Sequence, residues 1–187
     1  MSSFALAGPQ GLPGPEGPEG PEGPQGAQGN PGSGLIEAVA YLSDTRAAGT
    51  EGGSTTSGSW LPWPLNTIDA DDQDIIVGAI ASDRFVLDPG TYYIHADGIL
   101  YCAGFGKIRL RNITAGTTIL VGLSQELGDS VNRSSTMLLL GQIVLAAQTT
   151  LEFQYRVTVS EATDGLGRAV NLGEVEVYRR VKIEKQA

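Results

Sequence analysis

Cysteine is nearly missing from this chain. Cys102 is the only one among 187 residues, so no intrachain disulfide can staple the fold. Its neighbours Ile99, Leu100 and Tyr101 predict a buried small apolar side chain rather than a reactive thiol. Histidine is equally scarce, with His95 alone. Basic residues are absent until Arg46, and the net charge is −9, which argues against nucleic acid as a partner because that role needs a basic stripe. No apolar run approaches the ~18 residues of a membrane span, so membrane insertion is not expected. The opening MSSFALAG has neither a basic start nor a full apolar segment and does not read as a secretory signal. No segment carries a convincing helical period.

What is present begins with glycine. It falls at 8, 11, 14, 17, 20, 23, 26, 29 and 32, and residues 8–31 form eight triplets: GPQ, GLP, GPE, GPE, GPE, GPQ, GAQ, GNP. Seven of the ten prolines lie there. Strict period three with high proline is the signature of a collagen triple helix, in which only glycine fits at the crowded axis. Gly8, Gly11, Gly14, Gly17, Gly20, Gly23, Gly26 and Gly29 are the expected axis residues. A flexible Gly/Pro linker would have no reason to keep glycine in phase. The 24 residues would make a rod roughly 70–75 Å long, and three chains are required.

That rod is weak alone. Proline occupies the first position after glycine in five triplets and the second in only two. Glu16, Glu19 and Glu22 bring nine carboxylates to a trimer with no cation nearby, and like charges this close repel. The register of the chains must be set by the segment beyond residue 34. Residues 35–187 suffice for one domain with a real core.

That part reads as β nearly throughout, rich in Val, Ile, Thr and Tyr and punctuated by Gly, Asp and Asn. Strands are predicted near 36–43, 74–80, 84–87, 91–97, 98–103, 106–112, 117–124, 135–146, 150–159 and 174–184, with a long polar loop at 45–59 and a turn at Asp88-Pro89-Gly90. Leu151, Phe153, Tyr155, Val157 and Val159 alternate with Glu152, Gln154, Arg156 and Thr158, and Lys107-Ile108-Arg109-Leu110-Arg111 alternates likewise. The last strand alternates through Val175 and Val177, slips, and resumes at Val181 and Ile183. Met137 to Leu140, followed by Gly141 and Ile143-Val144-Leu145, predicts a strand buried on both faces. About ten short strands predict an all-β fold, a jelly-roll β-sandwich.

A collagen-like stalk before a jelly roll resembles the complement-type and tumour-necrosis-factor-like trimers. A nearer resemblance is to virion fibre proteins of tailed bacteriophages and their prophage relatives. It is carried by AYLSDTRAAGTEGGSTTSGSWLPWPLNT (40–67), RFVLDPGTYYIHA (84–96), KIRLRNITAGTTILVG (107–122) and NLGEVEVYRRVKIEK (171–185). The chain departs from that pattern at WLPWP, where a second tryptophan stands. The resemblance implies a homotrimer with a non-enzymatic virion role, assembled in the bacterial cytoplasm, with capsid or tail proteins of the same virion as partners and no cofactor. Host-surface glycan is a further candidate partner.

The division expected is a docking peptide (1–7), a stalk (8–34) and a trimerising jelly roll (35–187). Phe4 and Leu6 are the apolar anchors of the first. Trp60 and Trp63 are candidate ligand or subunit contacts, since flat apolar faces suit sugar rings. Asp69, Asp71, Asp72 and Asp74 are candidate Ca²⁺ ligands by their hard oxygens, yet they lack an EF-hand's glycine and distal glutamate and read first as a solvated acidic loop. His95 and Asp97 face one side of a strand, but no nucleophile elbow accompanies them; His95 is expected in the core or a subunit contact. Asn112 and Asn132 fit a glycosylation pattern that a product made in a bacterium would leave bare.

Overall fold

The computed structural model describes residues 8, 10–14, 17, 36–128 and 133–187. The chain divides into two units, Met1–Pro31 and Gly32–Ala187. Phe4, Leu6, Gly20, Gly23, Gly26 and Gly29 lie outside the described residues. Around Gly8, Gly11, Gly14 and Gly17 an added Cβ would meet nothing within the single chain.

The second unit is a sandwich of ten strands: β1 (Ile36–Arg46), β2 (Leu61–Pro62), β3 (Thr67–Asp71), β4 (Arg84–Leu87), β5 (Gly90–Tyr101), β6 (Gly104–Asn112), β7 (Thr117–Gly128), β8 (Ser134–Leu145), β9 (Thr149–Val157) and β10 (Glu176–Gln186). One sheet runs β3-β1-β10-β5-β8; the other runs β2-β9-β6-β7, with β4 also paired to β9. All pairings are antiparallel. The chain changes sheet at every step from one of these strands to the next except between β6 and β7. This two-sheet, crossing topology is a jelly roll. Inward residues of both sheets, among them Leu42, Phe85, Ile94, Leu110, Leu139 and Phe153, form one core, with Phe85 and Phe153 stacked at 5.8 Å between ring centroids.

Several predicted strands differ in the structure. Residues 74–80 are not a strand. A short 3-10 turn covers Asp72–Asp74, and the Asp71 carboxylate accepts hydrogen bonds from the N–H groups of Ile75 at 2.9 Å and Ile76 at 3.1 Å. The two isoleucines are buried, but as a folded loop over the core. The predicted pair 91–97 and 98–103 is a single strand, β5. Gly98 looked like punctuation and is instead a site of close approach: a Cβ there would stand 2.6 Å from both the Arg179 and the Trp63 side chains. β2 and β3 were not predicted. The phase of the last strand before its slip is also reversed. Val175 is exposed and Glu176 is buried.

That slip is a β-bulge between the pairs Asp44↔Arg179 and Thr45↔Val177. It turns both Tyr178 and Arg179 inward. Arg179 is wholly buried, paired with Asp44 through Nη1. Its Nη2 donates to the Leu166 carbonyl at 2.7 Å, and its guanidinium lies over the Trp63 ring at 5.4 Å. Burial lowers its pKa to about 10, against the attraction of Asp44, so it stays charged at neutral pH.

Glu176 ties together the loops that gather beside the bulge. Its Oε1 accepts from the N–H of Asn171 at 2.8 Å and of Gly49 at 3.1 Å, and Oε2 from that of Val170 at 3.3 Å. These bonds, that of Asn171 foremost, hold its pKa below the ordinary 4.5. A carboxylate depressed in the folded state contributes stability that is complete above the unfolded pKa and is lost as pH falls through the folded one. Hydrogen exchange should therefore find the Gly49, Val170 and Asn171 amides protected, after correction for intrinsic rates, from neutrality to about pH 5 and progressively less below it. In Glu176→Gln the protection should be reduced already at neutral pH.

Candidate functional site: two faces of the sandwich

Direct pairing places residues of neighbouring strands on one face, so the outward surface of the first sheet can be read in rows. One row runs Tyr41, Lys182, His95, Leu140; the next runs Val39, Glu184, Tyr93, Gln142. A third runs Ser43, Arg180, Asp97, Leu138. The middle of the face is ionic: Lys182 Nζ stands 2.5 Å from Glu184 Oε1, and His95 Nε2 4.0 Å from Asp97 Oδ1. The flanks are apolar.

β8 is the informative flank. Met137, Leu139, Ile143 and Leu145 point into the core, whereas Leu140 and Val144 point out, 46% and 75% exposed. The expectation of burial on both faces is thus met on one face only within a single chain. The outward apolar column continues around the edge onto β7, where Val121 and Leu123 are exposed. Together with Gly122, Leu138 and Leu140 they line a hollow of about 170 Å³. At Gly122 the strands are so close that a Cβ would lie 2.6 Å from the Leu138 carbonyl. Tyr93, on β5 next to β8, and Tyr41, across the sheet on β1, are exposed on this face as well. His95 lies on this face and not in the core.

The second sheet presents the two tryptophans differently. Trp63 is completely buried beneath Arg179, so it is a core residue and offers neither a ligand nor a subunit contact. Trp60 is at the surface, with the Arg109 guanidinium 4.2 Å from its ring centroid. Arg109 is itself held by Gln154 Oε1 at 2.8 Å and Thr118 Oγ1 at 3.0 Å. Beside Trp60 lies a cleft of about 540 Å³ whose lining includes Phe105, Lys107, Glu126, Arg156 and Thr158. Sequence reasoning registered the Lys107-to-Arg111 run only as strand alternation. The signal that could have raised it is three cations in one outward register of a chain with net charge −9.

The remaining candidates resolve into local structure. Asp69 and Asp71 are on β3, an edge strand, where charge discourages edge-to-edge pairing. Asp69 Oδ1 accepts from Ser43 Oγ at 3.0 Å, Asp71 caps the turn already described, and Asp72 and Asp74 sit in the 3-10 turn. Among the described residues no group of three or more His, Cys, Asp or Glu side chains is placed to hold a metal ion. The Asn112 carboxamide accepts from the Ala115 N–H at 2.8 Å and closes a turn; Asn132 lies outside the described residues. Cys102 is buried.

No family model matches the chain, and no curated protein does. Among solved structures, the globular domain of zebrafish complement 1qA protein is similar over 79% of this chain and 95% of that one, with 14% identity and a TM-score of 0.47. PRD1 vertex protein P5 is similar over 81% and 99%, with 13% identity and a TM-score of 0.47. Murine APRIL at pH 5.0 is similar over 79% and 98%, with 7% identity and a TM-score of 0.48. The jelly-roll assignment stands on the strand order above.

Proposed function

We propose that the protein is a homotrimeric structural fibre of a phage virion, a head fibre or capsid decoration. Its N-terminal peptide, through Phe4 and Leu6, docks on a capsid protein. The collagen-like rod projects outward, and the jelly roll sets chain register and faces the host surface. The role is mechanical and adhesive, without catalysis.

The observation that supports this most is the outward column of Leu138, Leu140 and Val144 on β8. A cyclic trimer needs a heterologous contact, one patch of each protomer meeting a different patch of the next. This face offers two: the β7–β8 edge column, and the exposed Tyr41 on β1, on the far side of the ionic strip. A chain whose first 34 residues carry period-three glycine needs such a closed threefold assembly beside it. The resemblance of 40–67, 84–96, 107–122 and 171–185 to phage fibre modules supports the virion setting.

Electron microscopy of the intact particle with this gene deleted tests the reading. The expected result is loss of thin projections from the head with particle assembly otherwise preserved. Projections lost from the tail, together with lost adsorption, would instead identify a tail-fibre receptor-binding protein. An unchanged particle would overturn both.

A further inference from the structure

The cleft beside Trp60 is built from parts that conflict unless something fills it. Lys107 and Arg156 are directly paired across β6 and β9. Like charges at such a position, with Cβ atoms about 5 Å apart, destabilise a sheet. Neither takes part in an ion pair among the described residues. Arg109 and Arg111 continue the same outward register of β6, and burial, with smaller contributions from nearby Arg111 and Arg156, lowers the pKa of Arg109. An acidic chain that gathers its few cations on one strand face accepts a cost that folding does not require.

The other walls are of a different kind. Trp60 is held by Arg109 beneath it, and Arg109 by Gln154 and Thr118, so the indole is a supported platform. Phe105, 61% exposed, also lines the cleft. Glu126 pairs with Phe105, and Ser124 with Lys107, across β6 and β7. They bring a carboxylate and a hydroxyl to the rim. Aromatic faces suit the apolar face of a pyranose ring. Glu126, Ser124 and Thr158 suit its hydroxyls, and the planar fork of Arg156 suits a carboxylate.

We propose that this cleft binds a saccharide whose ring bears a carboxylate, a uronic-type sugar. The ring lies against Trp60 and Phe105, and the acid group meets Lys107 and Arg156. With Glu126 opposing those two cations, the cleft's formal balance of one positive charge matches a monoanionic carboxylate rather than a phosphate dianion. The proposal deepens the reading of an outward-facing fibre head, and rests on it, by naming the ligand class.

The test is calorimetric titration of the full chain with a glucuronate tetrasaccharide, with a neutral glucose tetrasaccharide, and with inorganic phosphate, at low ionic strength. Sedimentation of the same sample is recorded. The acidic sugar should bind about tenfold or more tightly than the neutral one, the effect of one charge-assisted hydrogen bond. Arg156→Gln and Lys107→Gln, both surface changes, should each remove about tenfold from the acidic sugar and leave the neutral one unchanged. Trp60→Ala should weaken both sugars. Equal affinity for the two sugars, no binding of either, or phosphate binding as tight as the acidic sugar's and insensitive to Trp60→Ala would each overturn the proposal. A trimer that does not bind would sink the site and leave the fibre intact. A monomer that binds would do the reverse.

Discussion

Asp44→Ala should cost the globular unit about 3–5 kcal/mol, because it strands a buried cation. Asp44 and Arg179 are both fully buried. Asp44 Oδ1 also accepts from Asn66 Nδ2 at 3.1 Å and Arg46 Nε at 3.2 Å, so the carboxylate is the hub of the bulge. Removing it leaves Arg179 with the Leu166 carbonyl and the Trp63 face, while its Nε, like the Trp63 Nε1, already has no hydrogen-bond partner among the described residues. Removing both charges is a different experiment. Buried ion pairs replaced by apolar groups of similar volume are often neutral or stabilising, so Asp44→Leu with Arg179→Met should recover most of the loss. Denaturant midpoints at one fixed chain concentration measure both. If the single and double variants are equally unstable, packing around Trp63 and Gly98, rather than the ion pair, holds the bulge.

The pair was hidden from sequence reading for a physical reason. Alternation reports which face is apolar, and a bulge breaks alternation at the place where an unusual contact is made. The slip after Val177 was visible; that it turned Arg179 inward was not, because an arginine there defaults to solvent. Gly98 misled in the same way. An Asp-Gly pair inside a β run signals a turn by local chemistry, while here the missing Cβ serves a neighbour on another strand. β9 shows what pattern can and cannot carry. Its inward residues Leu151, Phe153, Tyr155 and Val157 were legible, but Glu152 and Gln154 were read as solvent-facing and are buried. Arg84 covers Glu152, its Nε 2.7 Å from Oε2, and Arg109 covers Gln154. Trp60 and Trp63 read alike as candidate contacts in the sequence, and only Trp60 reaches the surface. The cleft beside Trp60 was not legible, because the walls come from β6, β7 and β9, whose side-by-side order no local pattern reveals.

On the proposed reading, the two faces of the sandwich divide the work. The apolar β7–β8 edge, away from the ionic strip of the first sheet, has a composition suited to contact between like chains. The second carries the cation row and a supported indole, a composition suited to a polar ligand met from solvent. If the first face is sealed by assembly, the second is what remains on the perimeter of the trimer. Adhesion sites would then occur three to a fibre, and weak single contacts would combine through multivalency.

On the proposed homotrimer, Leu140→Asp should dissolve the assembly while leaving each jelly roll folded. The side chain points outward on β8, opposite His95, so within one chain the change belongs to the surface class, usually within about 0.5 kcal/mol. In an assembly that buries the β7–β8 edge, it places an unpaired charge in an apolar contact, which is far costlier. Sedimentation should shift from three chains to one. The rod should fail with it, since Glu16, Glu19 and Glu22 repel across three chains and the triplets have no cation to answer them. The polyproline-type circular-dichroism signal of the stalk should therefore vanish in the same variant, although residue 140 is far along the sequence from any triplet. Leu172→Asp, at a position 84% exposed in a loop, is the control and should change neither. Leu139→Ala, one residue away but inward, should instead lower the stability of the domain by about 2–5 kcal/mol. A Leu140→Asp protein that stays trimeric would mean that the β7–β8 edge is not the seam. One that becomes monomeric yet keeps the stalk signal would mean that the triplets hold three chains without help, and the jelly roll would lose its role in setting register.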